Sequence, residues 1–267
     1  MNAAGHVYAQ MSLAVPAHPS YLAVVPAYNE AATVERVVRS LRERAPTFDV
    51  VVVDDGSTDH SGPAAEAAGA RVVRHPFNLG IGGAVQSGFV FAYDNDYDYM
   101  VQVDGDGQHD PSQLARLVHE IRSDPELDMV CGSRFLSQDM KYPSPISRRT
   151  GIHIFAFLLS RIIGQRVTDP TSGFRLYNRR AIALFARDYP HDYPEVEAVL
   201  MLHFNRLRMR EVPVRMLTRG GGTSSISSGK SVYYMLKVLL AISVGLARAR
   251  PVVEPGDDAP VAAAHGI

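Results

Sequence analysis

The chain has a single cysteine in 267 residues, Cys131, which excludes an intramolecular disulfide and a cysteine-built zinc site. Its neighbours Met129, Val130 and Gly132 mark it as a core position at a strand end. A surplus of charge is also missing: 27 Lys and Arg stand against 28 Asp and Glu, a formal net charge of −1. No global field therefore draws the protein to nucleic acid, and any anion site must come from local clusters. Residues 1–20 lack the basic start and continuous apolar stretch of a signal peptide and read as a flexible leader. GxxxxGK[ST] is absent, and Asn78-Leu79-Gly80-Ile81-Gly82-Gly83 contains no intact GxGxxG, which argues against a P-loop or a nicotinamide site. Those glycines fit close packing of a helix on a sheet. The length allows one large domain or two small ones with a sizeable core, and the composition is compatible with the cytosol.

What is present is organised around Val101-Gln102-Val103-Asp104-Gly105-Asp106-Gly107-Gln108-His109-Asp110-Pro111. A β-branched run reads as a buried strand and breaks at Asp104 into a glycine-spaced acidic turn. Pro111 then opens an amphipathic helix carrying Leu114, Leu117, Val118 and Ile121 at helical spacing. Asp104, Asp106 and Gln108 thus sit at alternate positions where a strand ends. Gly105 and Gly107 leave room for a ligand to approach the backbone. Such hard oxygen ligands suit Mg²⁺ or Mn²⁺, which could bridge to nucleotide phosphates; an acidic turn with a helix cap is the plainer alternative.

In chain order, Leu22–Val25 reads as a strand stopping at Pro26. A helix follows from about Glu30 to Arg44 with Val34, Val37, Val38 and Leu41 on its apolar face. Val50–Val53 is a strand apolar on both faces, ending in Asp54-Asp55-Gly56-Ser57-Thr58-Asp59. A small-residue helix, the strand Arg71–Arg74, a helix reaching about Tyr93 and a strand at Asp128–Cys131 complete an alternating α/β pattern. That pattern implies a mostly parallel sheet covered by helices on both faces. Ligands bind such sheets beyond the carboxyl ends of the strands, where Pro26, Tyr28, Asp54, Asp55, Asp104 and Asp106 all fall. The convergence argues for a nucleotide site.

Beyond Arg134 the pattern changes. Gly151–Leu159 is a helix apolar on most faces, Thr168–Arg175 a turn entering a short strand, Pro194 the start of another helix, and Glu211–Val214 an edge strand. Arg219-Gly220-Gly221-Gly222-Thr223-Ser224-Ser225 reads as a mobile loop. Val232 to Ala247 is almost wholly apolar, interrupted by Lys237 and flanked by Lys230, Arg248 and Arg250. A spanning helix needs about 20 apolar residues, so a helix lying at a membrane surface fits this segment better, with a core helix as the alternative. The expected organisation is a leader (1–20), a catalytic domain (21–230), an interfacial helix (231–250) and a disordered tail (251–267).

With these motifs in order, the chain resembles the inverting family-2 glycosyltransferases of the Rossmann-like GT-A fold. Within them it is most similar to dolichol-phosphate mannosyltransferases and bacterial polyprenyl-phosphate sugar transferases. The resemblance covers about residues 20–248. It rests on Val25-Pro26-Ala27-Tyr28-Asn29-Glu30, Val53–Asp59, Asn78-Leu79-Gly80, Asp104–His109, Gly132-Ser133-Arg134 and Asp169-Pro170-Thr171-Ser172-Gly173-Phe174. It implies that Pro26, Tyr28, Glu30 and Asp55 hold the base and ribose of a UDP- or GDP-sugar. Asp104, Asp106 and Gln108 would hold Mg²⁺ or Mn²⁺ and the diphosphate, with the metal itself on Asp106 and Gln108. Arg134, Arg148, Arg149, Arg219 and Ser224 would lie near the diphosphate and an acceptor phosphate.

The resemblance further implies a polyprenyl-phosphate acceptor and a cytoplasmic enzyme, peripheral at the inner face of the cell membrane, with a membrane surface or a small membrane protein as partner. There is one departure. That branch usually shows Arg-x-x-Gly-x-Ser-Lys in the late loop, whereas Ser225 stands here at the lysine position. An ionised phosphate is already a nucleophile, while a sugar hydroxyl normally needs a base. Glu195 and Glu197, at a helix start, are the candidate bases, with favourable helix N-terminal electrostatics as their alternative role. Transfer to a hydroxyl of a growing cell-surface glycan, and a non-catalytic nucleotide-sugar-binding subunit of a membrane complex, are the rival functions.

Overall fold

The valine-rich runs form buried strands because β-branched side chains suit a pleated surface that is covered on both sides. The structure, a computed structural model, describes residues 18–136, 146–191 and 194–217, with residues 146–149 described by backbone alone. Strands β1 (Tyr21–Ala27), β2 (Phe48–Asp54), β3 (Arg71–Arg74) and β4 (Tyr99–Gln102) alternate with helices α1 (Val34–Arg44), α2 (Ser61–Ala67) and α3 (Gly80–Asp94). A 3-10 turn (Pro111–Gln113), α4 (Leu114–Ser123), β5 (Leu127–Ser133), α5 (Ile146–Ile163), β6 (Arg175–Asn178), α6 (Arg179–Arg187), α7 (Pro194–Phe204) and β7 (Arg208–Pro213) follow. The strands make one seven-stranded sheet in the order β3-β2-β1-β4-β6-β5-β7. Every pair is parallel except those of β6, which runs antiparallel to β4 and β5.

Alternation along each strand divides the core. Leu22, Val24, Val51, Val53, Met100 and Tyr177 face one side, under α3, α6 and α7. Ala23, Val25, Val50, Val52, Val101 and Leu176 face the other, where Val34, Val38 and Leu41 of α1 and Leu114, Leu117 and Ile121 of α4 cover them. Burying each such valine or leucine contributes about 1.5–3 kcal/mol against chain entropy. Cys131 is part of this core, and burial pushes its thiol up to about 12. The expected mostly parallel α/β sheet with helices on both faces is therefore the architecture observed.

Several boundaries differ from the sequence expectation. β1 continues through Pro26, which has no N–H to donate. This is tolerated because β4 ends at Gln102, level with Val24, and no strand lies opposite Pro26 on that side. The first helix starts at Val34 rather than near Glu30, after a turn in which the N–H groups of Thr33 and Val34 both reach the Glu30 carbonyl at 2.9 Å. Pro111 opens a 3-10 turn capped by Asp110, whose side chain accepts from Ser112 N, and the α-helix begins at Leu114. α5 is longer than Gly151–Leu159. Its Ile152, Phe155, Ala156 and Leu159 are buried, while Ile154 and Phe157 are exposed. β7 is an edge strand, as expected.

The inversion of β6 has a simple cause. The chain leaving α5 returns at the carboxyl edge of β4 and β5, so it can only enter the sheet from that edge. The turn before β6 is thereby brought to the same edge as the acidic turn. Among the described residues no helix is long and apolar enough to cross a membrane. The segment 231–250 and the tail 251–267 lie outside the described residues.

One glycine tests the close packing of helix on sheet. A Cβ on Gly88 of α3 would overlap the Val24 side chain of β1. Gly88→Ala should destabilise the protein by about 1–3 kcal/mol, as overpacking does. An unchanged melting temperature would show that α3 does not sit this close to the sheet.

Candidate active site

At the carboxyl edge, the loops after β1, β2 and β3 are tied to one another by polar contacts. Asn29 adopts φ 55° after β1; its N–H donates to Ser57 Oγ at 3.0 Å, and its Oδ1 accepts from Thr58 N at 2.9 Å. Glu30 N donates to Ser61 Oγ at 2.8 Å, and the Glu30 carboxylate accepts from Thr33 Oγ1 at 2.8 Å. Tyr28, next to Asn29, is 47% exposed.

Asp55 is buried, and its carboxylate works inside the protein. Oδ1 lies 2.7 Å from His75 Nδ1 and accepts from Leu79 N at 2.8 Å, while Oδ2 accepts from Gly80 N at 2.9 Å. The far nitrogen of His75 meets Ser87 Oγ at 2.9 Å. Asp55 thus anchors Asn78-Leu79-Gly80 and the start of α3, a role that acidic groups fill well because they satisfy otherwise unpaired amides at a helix N-terminus.

The acidic turn is built from both of its ends. Asp104 N donates to His109 Nδ1 at 2.9 Å, so a neutral ring carries its proton on Nε2, 3.6 Å from Asp104 Oδ2. The buried His109 ring stacks on Phe174 with centroids 4.8 Å apart. Asp106 Oδ1 accepts from Gln108 N at 2.9 Å, and Gly107 supplies the required φ of 76°. Gln108 is half-buried, and its carbonyl accepts from Leu217 N at 2.8 Å, next to a bridge between His109 and Met216.

The structure brings most of the expected donor-binding residues together. Pro26, Tyr28, Glu30, Asp55, Asp104 and Asp106 line one open cleft of about 390 Å³, joined by Asn78, Gly80 and Ile81, which sequence reasoning had not assigned. The Asn78-Leu79-Gly80 motif was the available signal. A larger cleft of about 600 Å³ behind the acidic turn is lined by both arginines and glutamates of α1, with Arg39 already paired to Glu35, and shows no comparable convergence of ligand groups.

Two carboxylates converge without a complete metal cage: among the described residues no group of three or more His, Cys, Asp or Glu could hold an ion. The donor set nevertheless fits Mg²⁺ or Mn²⁺. The Asp104 side chain is 39% exposed, and Gly173 presents no side chain to it; a Cβ there would stand 3.2 and 3.3 Å from its oxygens. Ions of this type commonly use one or two carboxylates and complete their shell with water and substrate phosphate.

Arg134 lies elsewhere than in the cleft lining. Its guanidinium makes a two-pronged ion pair with the buried Asp169, both contacts at 2.7 Å. Glu195 and Glu197 are half-buried in the first turn of α7. Burial raises the Glu195 carboxyl above its ordinary value, against the opposing pull of Arg175, and Glu195 also feels the charges of Asp104 and Arg134. The side chains of Arg148 and Arg149, and all of Arg219 and Ser224, lie outside the described residues.

The family description Glycosyl transferase family 2 matches residues 22–185. The chain belongs to that family and is a glycosyltransferase. It is 34% identical over 217 residues to the undecaprenyl-phosphate mannosyltransferase of Micrococcus luteus, covering 78% of this chain and 88% of that one. It is 30% identical over 243 residues to the polyprenol monophosphomannose synthase of Mycolicibacterium smegmatis, covering 87% and 91%. Among solved structures, glucosyl-3-phosphoglycerate synthase from Mycobacterium tuberculosis with Mn²⁺, UDP and glucosyl-3-phosphoglycerate superposes with a TM-score of 0.65. At 21% identity over 85% of this chain and 79% of that one, it shows the GT-A fold alone.

The Asp55 contacts yield a second test. Asp55→Ala leaves the Leu79 amide without its acceptor and Gly80 N with Asn78 Oδ1 alone, which should cost about 1–3 kcal/mol in stability. In this glycosyltransferase the freed Asn78–Gly80 segment should also weaken the binding of a nucleoside diphosphate, read by calorimetric titration. Wild-type melting and wild-type affinity together would refute the anchoring role.

Proposed function

We propose that this glycosyltransferase transfers a sugar from a nucleotide sugar to a polyprenyl phosphate at a membrane surface, with inversion and with a divalent metal. The observation that carries the reading is the convergence of Asp104 and Asp106 with Pro26, Tyr28 and Glu30 in one open cleft at the carboxyl edge of the sheet. The acceptor class is supported by relatives whose own names specify undecaprenyl-phosphate, polyprenol and dolichyl-phosphate products or acceptors.

The exposed Tyr28 ring offers a face to the base, and the Glu30 carboxylate offers an acceptor to ribose hydroxyls. Gly105 lets the acidic turn pack closely on the end of β1, since a Cβ there would lie 3.1 Å from the Pro26 carbonyl. Asp104 and Asp106, with Gln108, would hold the metal, whose charge offsets that developing on the departing nucleoside diphosphate. Arg148, Arg149, Arg219 and Ser224 are the proposed holders of the acceptor phosphate. Chain connectivity keeps Arg219 two residues from Leu217, whose N–H is bonded to the acidic turn itself. The phosphate oxygen forms the new bond to the anomeric carbon as the bond to the nucleoside diphosphate breaks, so the acceptor has no proton to lose. Ile154 and Phe157, exposed one turn apart on α5, are consistent with work at the cytoplasmic face of a membrane.

The test is release of nucleoside diphosphate from a panel of UDP- and GDP-sugars with Mg²⁺ or Mn²⁺ and polyprenyl phosphate in liposomes. Transfer should occur, and Asp106→Ala should lower it at least ~10²-fold, in line with loss of a charge-stabilising group. Full turnover by Asp106→Ala, or by wild type in chelator, would sink the metal assignment.

One observation favours the second reading, transfer to a sugar hydroxyl: the raised Glu195 carboxyl beside the acidic turn has the character of a general base. A base must be ionised, so hydroxyl transfer would be lost as pH falls through a pKa above 4.5. Glu195→Gln would remove that limb and cost on the order of 10²–10⁴ in rate. With a phosphate acceptor, Glu195→Gln should stay within several-fold of wild type and leave the pH profile unchanged.

A further inference from the structure

Glu211, on the edge strand β7, is the end of a directed hydrogen-bond chain that starts beyond the carboxyl end of β5. Its Oε2 accepts from Thr168 N at 2.8 Å and from Thr168 Oγ1 at 2.7 Å, and its Oε1 accepts from Asp169 N at 2.9 Å. Because the Thr168 hydroxyl gives its only proton to Glu211, the Ser133 hydroxyl must be the donor in their 2.6 Å contact. Ser133 Oγ in turn accepts from Phe135 N at 3.1 Å. The donation therefore runs Phe135 to Ser133 to Thr168 to Glu211, and it requires an acceptor at the end. A glutamine could not serve, since its amide group would face at least one of three donors already aimed at position 211.

This chain fixes a segment with a direct bearing on Asp104. Asp169 holds the Arg134 main-chain N–H at 3.0 Å and its guanidinium at 2.7 Å. Ser172 Oγ donates to Gly132 O at 2.6 Å, and Arg175 donates to the carbonyls of Ser172 and Pro170 at 2.7 and 3.0 Å. Next in line is Gly173, where a Cβ would stand 3.0 Å from Gln102 Nε2 and 3.2 and 3.3 Å from the Asp104 carboxylate oxygens. Any shift of the 168–173 turn moves the wall that decides how Asp104 is presented.

We propose that Glu211 is a positioning residue for glycosyl transfer, acting through Thr168 and Asp169 to hold the 168–173 turn against Asp104. This rests on the reading of Asp104 as part of the donor site. The test uses the full chain and compares Glu211→Gln, Thr168→Val and Thr168→Ser. Tyr97→Phe is a control at the far end of the sheet, removing a 2.6 Å hydrogen bond to Asp49.

Melting temperature, kcat, donor KM and Mn²⁺ affinity in the presence of nucleoside diphosphate are measured for each. Glu211→Gln and Thr168→Val should lower kcat or Mn²⁺ affinity about 10–100-fold, as loss of a supporting partner does, while Thr168→Ser retains both. Tyr97→Phe should lower the melting temperature without touching either. The proposal is overturned if Glu211→Gln is folded and matches wild type, if Thr168→Ser is as impaired as Thr168→Val, or if Tyr97→Phe loses activity to the same degree. Should Glu211→Gln not fold, the two Thr168 variants decide. Asp104→Asn is run alongside: its full activity would overturn the donor-site reading and this inference together, whereas an inactive Asp104→Asn with an active Glu211→Gln removes this inference alone.

Discussion

Arg175 pairs with Gln102 of β4 on one side and with Cys131 of β5 on the other, and this double antiparallel pairing determines where everything else at the carboxyl edge can lie. Inserting β6 here separates β4 from β5 and sends the preceding turn directly over the strand end that carries Asp104. The stacking of Phe174 on His109 then connects turn to turn, and His109 connects back to the Asp104 amide. Without β6 the acidic turn would have one of its two walls missing. The pairing is non-local, so it carries a loop-closure cost that only the completed sheet offsets.

Charge at this edge is handled by enclosing it. Arg134, Asp169, Arg175 and Glu211 are buried or half-buried: the Arg134 guanidinium donates to Asp169 and Thr171, Asp169 and Glu211 each accept from main-chain N–H groups and from side chains, and Arg175 donates to two main-chain carbonyls. Taking such groups out of water is costly, and burial lifts the Glu211 carboxyl above its ordinary value. The arrangement therefore adds little to stability by itself. What it does supply is a fixed geometry: a polar turn that cannot repack without stranding a charge. The open cleft in front of it is the opposite case, with Tyr28 and the acidic turn facing solvent, as a site for a polar ligand needs.

The three ligand-side loops depend on one another in the same manner. Asn29 holds Ser57 and Thr58, Glu30 holds Ser61, and Asp55 holds Leu79 and Gly80. Family membership accounts for the glycosyltransferase activity. These contacts explain how motifs scattered between residues 25 and 80 are held together: their short polar side chains mostly bond each other's backbones. Asp55 is the clearest instance. It lines the cleft, yet its oxygens are occupied by His75 and two amides, so its effect on a ligand passes through the Asn78–Gly80 segment.

By itself the sequence determined the features that depend on near neighbours. The valine runs, the apolar face of α1, the glycine-spaced acidic turn and the placing of Tyr28, Asp55 and Asp104 beyond strand ends all follow from local periodicity and turn chemistry, whereas Pro26 and Asp54 fall inside the last residues of β1 and β2. Motif order was sufficient for the family as well. Only the tertiary structure decided the rest. The direction of β6, the partnership of Arg134 with Asp169 across 35 residues, the reach of Glu211 to Thr168 across 43, and the stacking of His109 on Phe174 leave no local pattern. An arginine, a glutamate or a histidine on a loop reads the same in sequence whether it faces a ligand or a buried partner. Which it does is set by the strand pairing that brings distant segments to a common edge, and that pairing is a property of the whole sheet.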